Sequence, residues 1–135
     1  MADLSEYKAI VRTLETYRVE GCAANVAGGK RAFHEKAVMN GSGKDGYVLG
    51  PAHTLYDLYG QVGPAPDAIW HIDVLDRAGN TAIGRIVIKN WHGKDFVDCH
   101  ELIKENGEWK IIAKTAQELE ERPCPNLPVL RVRWK

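Results

Sequence analysis

Between residues 4 and 21, Tyr7, Ile10, Val11, Leu14, Tyr17 and Arg18 recur at steps of three and four, the spacing of one helical face. The pattern predicts a first helix, with Asp3 or Ser5 placed to cap its free N–H groups. Residues 23–34 predict a short second helix that starts from Asn25 and is loosened by Gly28-Gly29, each worth up to about 1 kcal/mol against helix relative to Ala. Ala37-Val38-Met39 and Tyr47-Val48-Leu49 then read as two short strands around the glycine-rich turn 41–46. Gly50-Pro51 is placed to open a third helix, since proline in the first turn forfeits no hydrogen bond, and Leu55, Leu58, Tyr59 and Val62 make its apolar face. After the break at Gly63-Pro64-Ala65-Pro66, four strands are expected over about 68–76, 81–91, 95–104 and 108–116. Their connections, including the positive-φ turn favoured by Asn106-Gly107, are short enough to force antiparallel neighbours.

Side chains alternate faces along a strand. Trp70, Ile72 and Val74 therefore form the more apolar face of the first meander strand, with His71 and Asp73 leaning outward among Ile69 and Leu75. In the third, Val97, Cys99, Glu101 and Ile103 share one face and Phe96, Asp98, His100, Leu102 and Lys104 the other. Ionisable groups set in a core-like run must be paired, hydrogen-bonded or used, so this strand holds the first candidates for chemistry. Large apolar residues on both faces of the second strand, Ile83, Val87 and Trp91 against Ile86 and Ile88, predict a sheet covered on both sides, by helices and by a second copy of the chain.

Composition narrows the setting. The 135 residues fit one domain over about 1–120, followed by a proline-rich tail over 121–135 that either stays free or packs through its apolar-basic end. Eighteen basic residues balance eighteen acidic ones, which leaves no field for nucleic acid or acidic membranes. No apolar run approaches a membrane span, and three cysteines without paired spacing suit a reduced, cytoplasmic setting. The five histidines lie far apart and no metal-ligand or phosphate-loop motif occurs. No metal and no cofactor are expected, and the partner expected is a hydrophobic small molecule.

Helices grouped ahead of strands argue for an α+β fold. The order resembles the NTF2-like (nuclear transport factor 2-like) cone, shared by ketosteroid isomerase, scytalone dehydratase, limonene epoxide hydrolase and SnoaL-type polyketide cyclases. More narrowly, Ala32-Phe-His-Glu-Lys-Ala-Val-Met39, Gly63-Pro-Ala-Pro-Asp67, Ile72-Asp-Val-Leu-Asp76, Asn90-Trp91, Phe96-Val-Asp98 and Gly107-Glu-Trp-Lys-Ile111 resemble the branch labelled putative lumazine-binding, over residues 5–117. The resemblance implies three helices packed on a bent antiparallel sheet, closed around a mostly apolar pocket, and a homodimer that packs sheet against sheet.

It also implies roles. Tyr17 falls close to the oxyanion-donating tyrosine of ketosteroid isomerase, or is simply a core tyrosine on the helix stripe. Glu101, the lone acid on its face, falls near that enzyme's substrate-bonding acid; the alternative is a cross-strand ion pair with Arg85, Lys110 or Lys114. Asp98 and His100 suit an Asp-oriented imidazole base, or else a polar pair in the dimer interface. Phe33, His34, Met39, Tyr47, Tyr59, Trp91 and Lys114 are the candidate substrate-binding residues, with His34 read equally as a helix-end histidine. The isomerase's proton-shuttling aspartate would fall at Asn40 or Gly41, neither of which is a base, so its mechanism does not carry over. The Asp-Arg-Asp set of limonene epoxide hydrolase is met only if Arg85 stands between Asp73 and Asp98. The reading is a cofactor-independent isomerase, cyclase or dehydratase acting on a polyketide- or terpenoid-like molecule. Its alternative is a non-catalytic ligand-binding or dimerisation module.

Overall fold

The computed structural model describes residues 4–120. Helix α1 (Leu4–Cys22) buries Ile10, Leu14, Tyr17 and Gly21, a stripe narrower than the sequence suggests because Tyr7 and Val11 are exposed. Asp3, one of the two expected caps, lies outside the described residues. Helix α2 (Val26–Ala32) starts where the Asn25 side chain accepts from the N–H of Gly28 at 3.2 Å. It is shorter than expected: Phe33 and His34 already belong to β1 (Phe33–Gly43). That strand turns through Lys44-Asp45 into β2 (Gly46–Pro51). Gly50 and Pro51 therefore end a strand rather than open a helix, since Pro51 pairs with Val38 on the sheet's edge, where a missing N–H costs nothing. Helix α3 runs His53–Val62 and buries Leu55 and Tyr59.

The four expected meander strands are present as β3 (Ile69–Ala78), β4 (Thr81–Trp91), β5 (Lys94–Glu105) and β6 (Glu108–Glu118). With the hairpin they form one six-stranded sheet in the order β2-β1-β6-β5-β4-β3, antiparallel except for the β1·β6 pair. Here the expectation of a closed cone is corrected: among the described residues β2 and β3 are edges and the sheet stays open, with α1 and α2 packed on it. The main core lies between α1 and the inner face, where Ile10, Leu14, Ile86, Leu102 and Ile111 are fully buried. Close approach of α1 to β4 depends on Gly84, whose missing Cβ would stand 2.7 Å from Leu14 Cδ1 and 3.4 Å from the Asp73 carbonyl oxygen.

Candidate functional site

The site grows out of one irregularity in β6. Across from it on β5, Leu102 pairs with Ile111 and Glu101 with Ala113, so Ile112 is an extra residue and the strand bulges. Before the bulge, Trp109 and Ile111 face inward; after it, Lys114 and Ala116 do. Without the extra residue Lys114 would alternate to the outer face. The bulge instead sets it inside, directly opposite His100 and two register positions from Asp98. On β5, Asp98, His100 and Leu102 are buried on that same face, while Glu101 and Cys99 are exposed on the other. From the helical side, Tyr17 descends from the last turns of α1, its ring meeting Phe33 and Trp70 edge-on at 5.3 and 5.4 Å.

These groups converge. Tyr17 donates its O–H to Asp98 Oδ2 at 3.1 Å, Lys114 Nζ lies 3.6 Å from the same oxygen, and His100 Nε2 lies 4.0 Å from it. The Lys114 ammonium also sits 5.2 Å above the Tyr17 ring. Asp98 Oδ1, by contrast, is buried without a hydrogen-bond partner among the described residues, as are both ring nitrogens of His100. A cavity of about 350 Å³ opens on this cluster: Tyr17, Asp98 and Lys114 are part of its wall, and Tyr59, Trp70, Trp91 and Phe96 are among its apolar lining.

Burial dominates the electrostatics, because a desolvated site disfavours the charged form. It pushes the Asp98 carboxyl up from its ordinary value, with the Lys114 charge and the Tyr17 hydrogen bond pulling the other way. His100 is driven down to about 3, first by burial and then by Lys114, and is neutral at physiological pH. Burial and then the Asp98 charge raise the Tyr17 phenol well above its usual range, so it stays a donor. Since Oδ2 accepts from Tyr17, the oxygen of Asp98 that is free to take or give a proton is Oδ1.

The sequence candidates divide accordingly. Tyr17, Asp98, Met39, Tyr47, Tyr59, Trp91 and Lys114 all line the cavity. Trp91 does so against strand parity, because Asn90 adopts a positive φ of 61° and the β4·β5 register shifts between Ile88 and Trp91. His100 is buried behind Asp98, and Phe33 supports Tyr17 from the core. Glu101 must be corrected: it lies exposed on the outer face opposite Ile83 and Ala113, away from the cavity. His34 is likewise away from it, bonded through Nε2 to Glu105 at 3.2 Å. Arg85 pairs with Asp73 at 3.4 Å on the outer face while Asp98 faces inward, so no Asp-Arg-Asp set forms. Trp70 and Phe96 also line the cavity; the signal for them in the sequence is strand parity, which sets them on the faces of Ile72 and Asp98. Among the described residues no three His, Cys, Asp or Glu side chains converge as a metal site would need, and no helix is long and apolar enough to cross a membrane.

Comparison with known proteins places this geometry in context. Residues 5–116 match the family described as putative lumazine-binding. An NTF2-like protein of unknown function from Shewanella baltica is 29% identical, with a TM-score of 0.82 over 90% of this chain and 99% of its own. Another from Methylobacillus flagellatus is 26% identical, TM-score 0.83, covering 88% and 96%. A ketosteroid isomerase-like protein from Erwinia carotovora atroseptica shares the fold at 17% identity, TM-score 0.66, covering 86% and 98%. No curated protein matches the chain.

Proposed function

The chain belongs to the putative lumazine-binding family of the NTF2-like superfamily, and from that premise we propose that it is a cofactor-independent acid/base enzyme acting on an apolar, carbonyl-bearing small molecule. The observation that carries the reading is the unpartnered Asp98 Oδ1, buried in a residue that lines an apolar cavity while Oδ2 is held by Tyr17. A carboxyl that burial raises above its ordinary value is better matched to removing and returning a weakly acidic proton. Isomerisation, cyclisation and dehydration of a polyketide- or terpenoid-like molecule can each begin with that step. Asp98 is then the catalytic base at Oδ1, Tyr17 fixes the carboxyl by donating to Oδ2, and Lys114 supplies positive charge where the ligand's oxygen gains negative charge. Neutral His100 keeps a second cation out of the site.

The test needs no natural substrate. 2-Tetralone, a bicyclic ketone with acidic α-hydrogens, is incubated with the protein in D₂O and exchange is followed by NMR. Exchange above the buffer rate is expected, and Asp98→Asn should lower it by about 10²–10⁴-fold. If bound tetralone exchanges only at the buffer rate, the second reading takes over: a non-catalytic holder of a flat heterocycle. That reading is favoured by the ring-rich wall of Tyr59, Trp70 and Trp91 and by the family's name. On either reading the outer face of the sheet, with Ile69, Leu75 and Ile83 about half exposed or more, is proposed to pair two copies of the chain.

A further inference from the structure

Lys114 is an unusual residue to find inside this sheet. Its side chain is almost fully buried, the bulge at Ile112 turns it inward, and Asp98 is the carboxylate within 4.0 Å of its Nζ. Burying an ammonium is costly unless it is paired and hydrogen-bonded; its contact with Asp98, at 3.6 Å, is too long for a strong hydrogen bond, and it also meets the face of the Tyr17 ring at 5.2 Å. Lys114 also belongs to the wall of a ring-lined cavity, as does Asp98. Lys94, another lining residue, is different: half-exposed, it lies 3.9 Å from Asp45 and 3.8 Å from Glu118.

We propose that Lys114 forms an imine with an apolar aldehyde or ketone bound in the cavity. The ammonium gives one proton to the Asp98 carboxylate, and the freed amine lone pair attacks the carbonyl carbon as the carbonyl π pair moves to oxygen. The second nitrogen proton passes to that oxygen, giving a neutral carbinolamine. Asp98 returns its proton to the hydroxyl, which leaves as water while nitrogen's lone pair closes the C=N bond. The net change is ketone plus ammonium to iminium plus water, with the carboxylate restored. The positive nitrogen then acidifies the adjacent C–H, which Asp98 Oδ1 removes. The inference therefore rests on the acid/base reading and adds the substrate class, a carbonyl able to lose its oxygen as water, together with a covalent role for one lysine.

Reductive trapping tests it. The full chain is incubated with 2-tetralone and sodium cyanoborohydride, and peptides are mapped for the mass of one ligand less one oxygen atom. Lys114 should be labelled at least about tenfold faster than exposed Lys89, because the cavity holds the carbonyl against the amine. Tetralin, which fills the cavity but has no carbonyl, should suppress the label. Lys114→Arg should abolish it while preserving charge and circular dichroism. If tetralin quenches the fluorescence of Trp70 and Trp91 but Lys114 is labelled no faster than Lys89, the imine is wrong and the acid/base reading stands. If neither tetralin nor 2-tetralone binds, both fail.

Discussion

Among the described residues only Oδ2 of the two Asp98 oxygens is held, and that asymmetry is what the proposed base in an apolar site rests on. Its neighbour His100 yields a stability prediction whose sign is fixed. With a folded value near 3 and an ordinary value of 6.5, the unfolded chain binds a proton between those values that the folded chain does not. Stability from this residue is thus complete above about pH 6.5 and falls as the pH drops, by about 1.4 kcal/mol per unit. In urea unfolding between pH 6.5 and 5, His100→Leu should lose stability less steeply than the parent; equal slopes would mean that His100 is protonated in the folded state. The parity of the 95–104 strand separated Asp98 and His100 from Glu101 in the sequence, but not which face turned inward. Glu101 stands out in the sequence as the lone acid beside Val97, Cys99 and Ile103, but that face is the outer one, whereas the inner face carries the polar end of a cavity. Being the lone acid on a face therefore marks the wrong carboxyl here.

Among the elements, α1 and β6 decide where the chemistry sits. Helix α1 was legible from its period, and Tyr17 with it, because Ile10, Leu14 and Tyr17 lie on one stripe. The bulge was not legible: a single extra residue among Ile111, Ile112 and Ala113 leaves no pattern in an apolar run, yet it decides that Lys114 points inward. The parallel pairing of β1 with β6 was hidden for a related reason, since it joins segments more than seventy residues apart. Gly84 tests the α1 contact. In Gly84→Val the new side chain meets Leu14 and the Asp73 carbonyl, so overpacking should cost about 1–3 kcal/mol in urea unfolding and weaken tetralone exchange by shifting Tyr17. A variant with unchanged stability and exchange would show that α1 does not depend on this close approach.

For the whole molecule, helices grouped ahead of strands made the α+β class readable, while an open sheet rather than a closed one depends on edges that no local pattern specifies. The proline-rich tail lies outside the described residues. The outer face of the sheet supports the proposed dimer, and light scattering at micromolar concentration should give twice the chain mass; Ile83→Lys, placing a charge on that face, should shift it toward the monomer. A monomeric parent would remove that proposal and leave the cavity untouched. The central claim is that Asp98 carries its exchangeable proton into the ligand cavity, and it is tested most directly by NMR titration of the Asp98 Cγ with and without 2-tetralone. The account predicts a midpoint above the ordinary aspartate value of about 3.9, moved further by the ligand. An ordinary midpoint that the bound ligand leaves in place would contradict it.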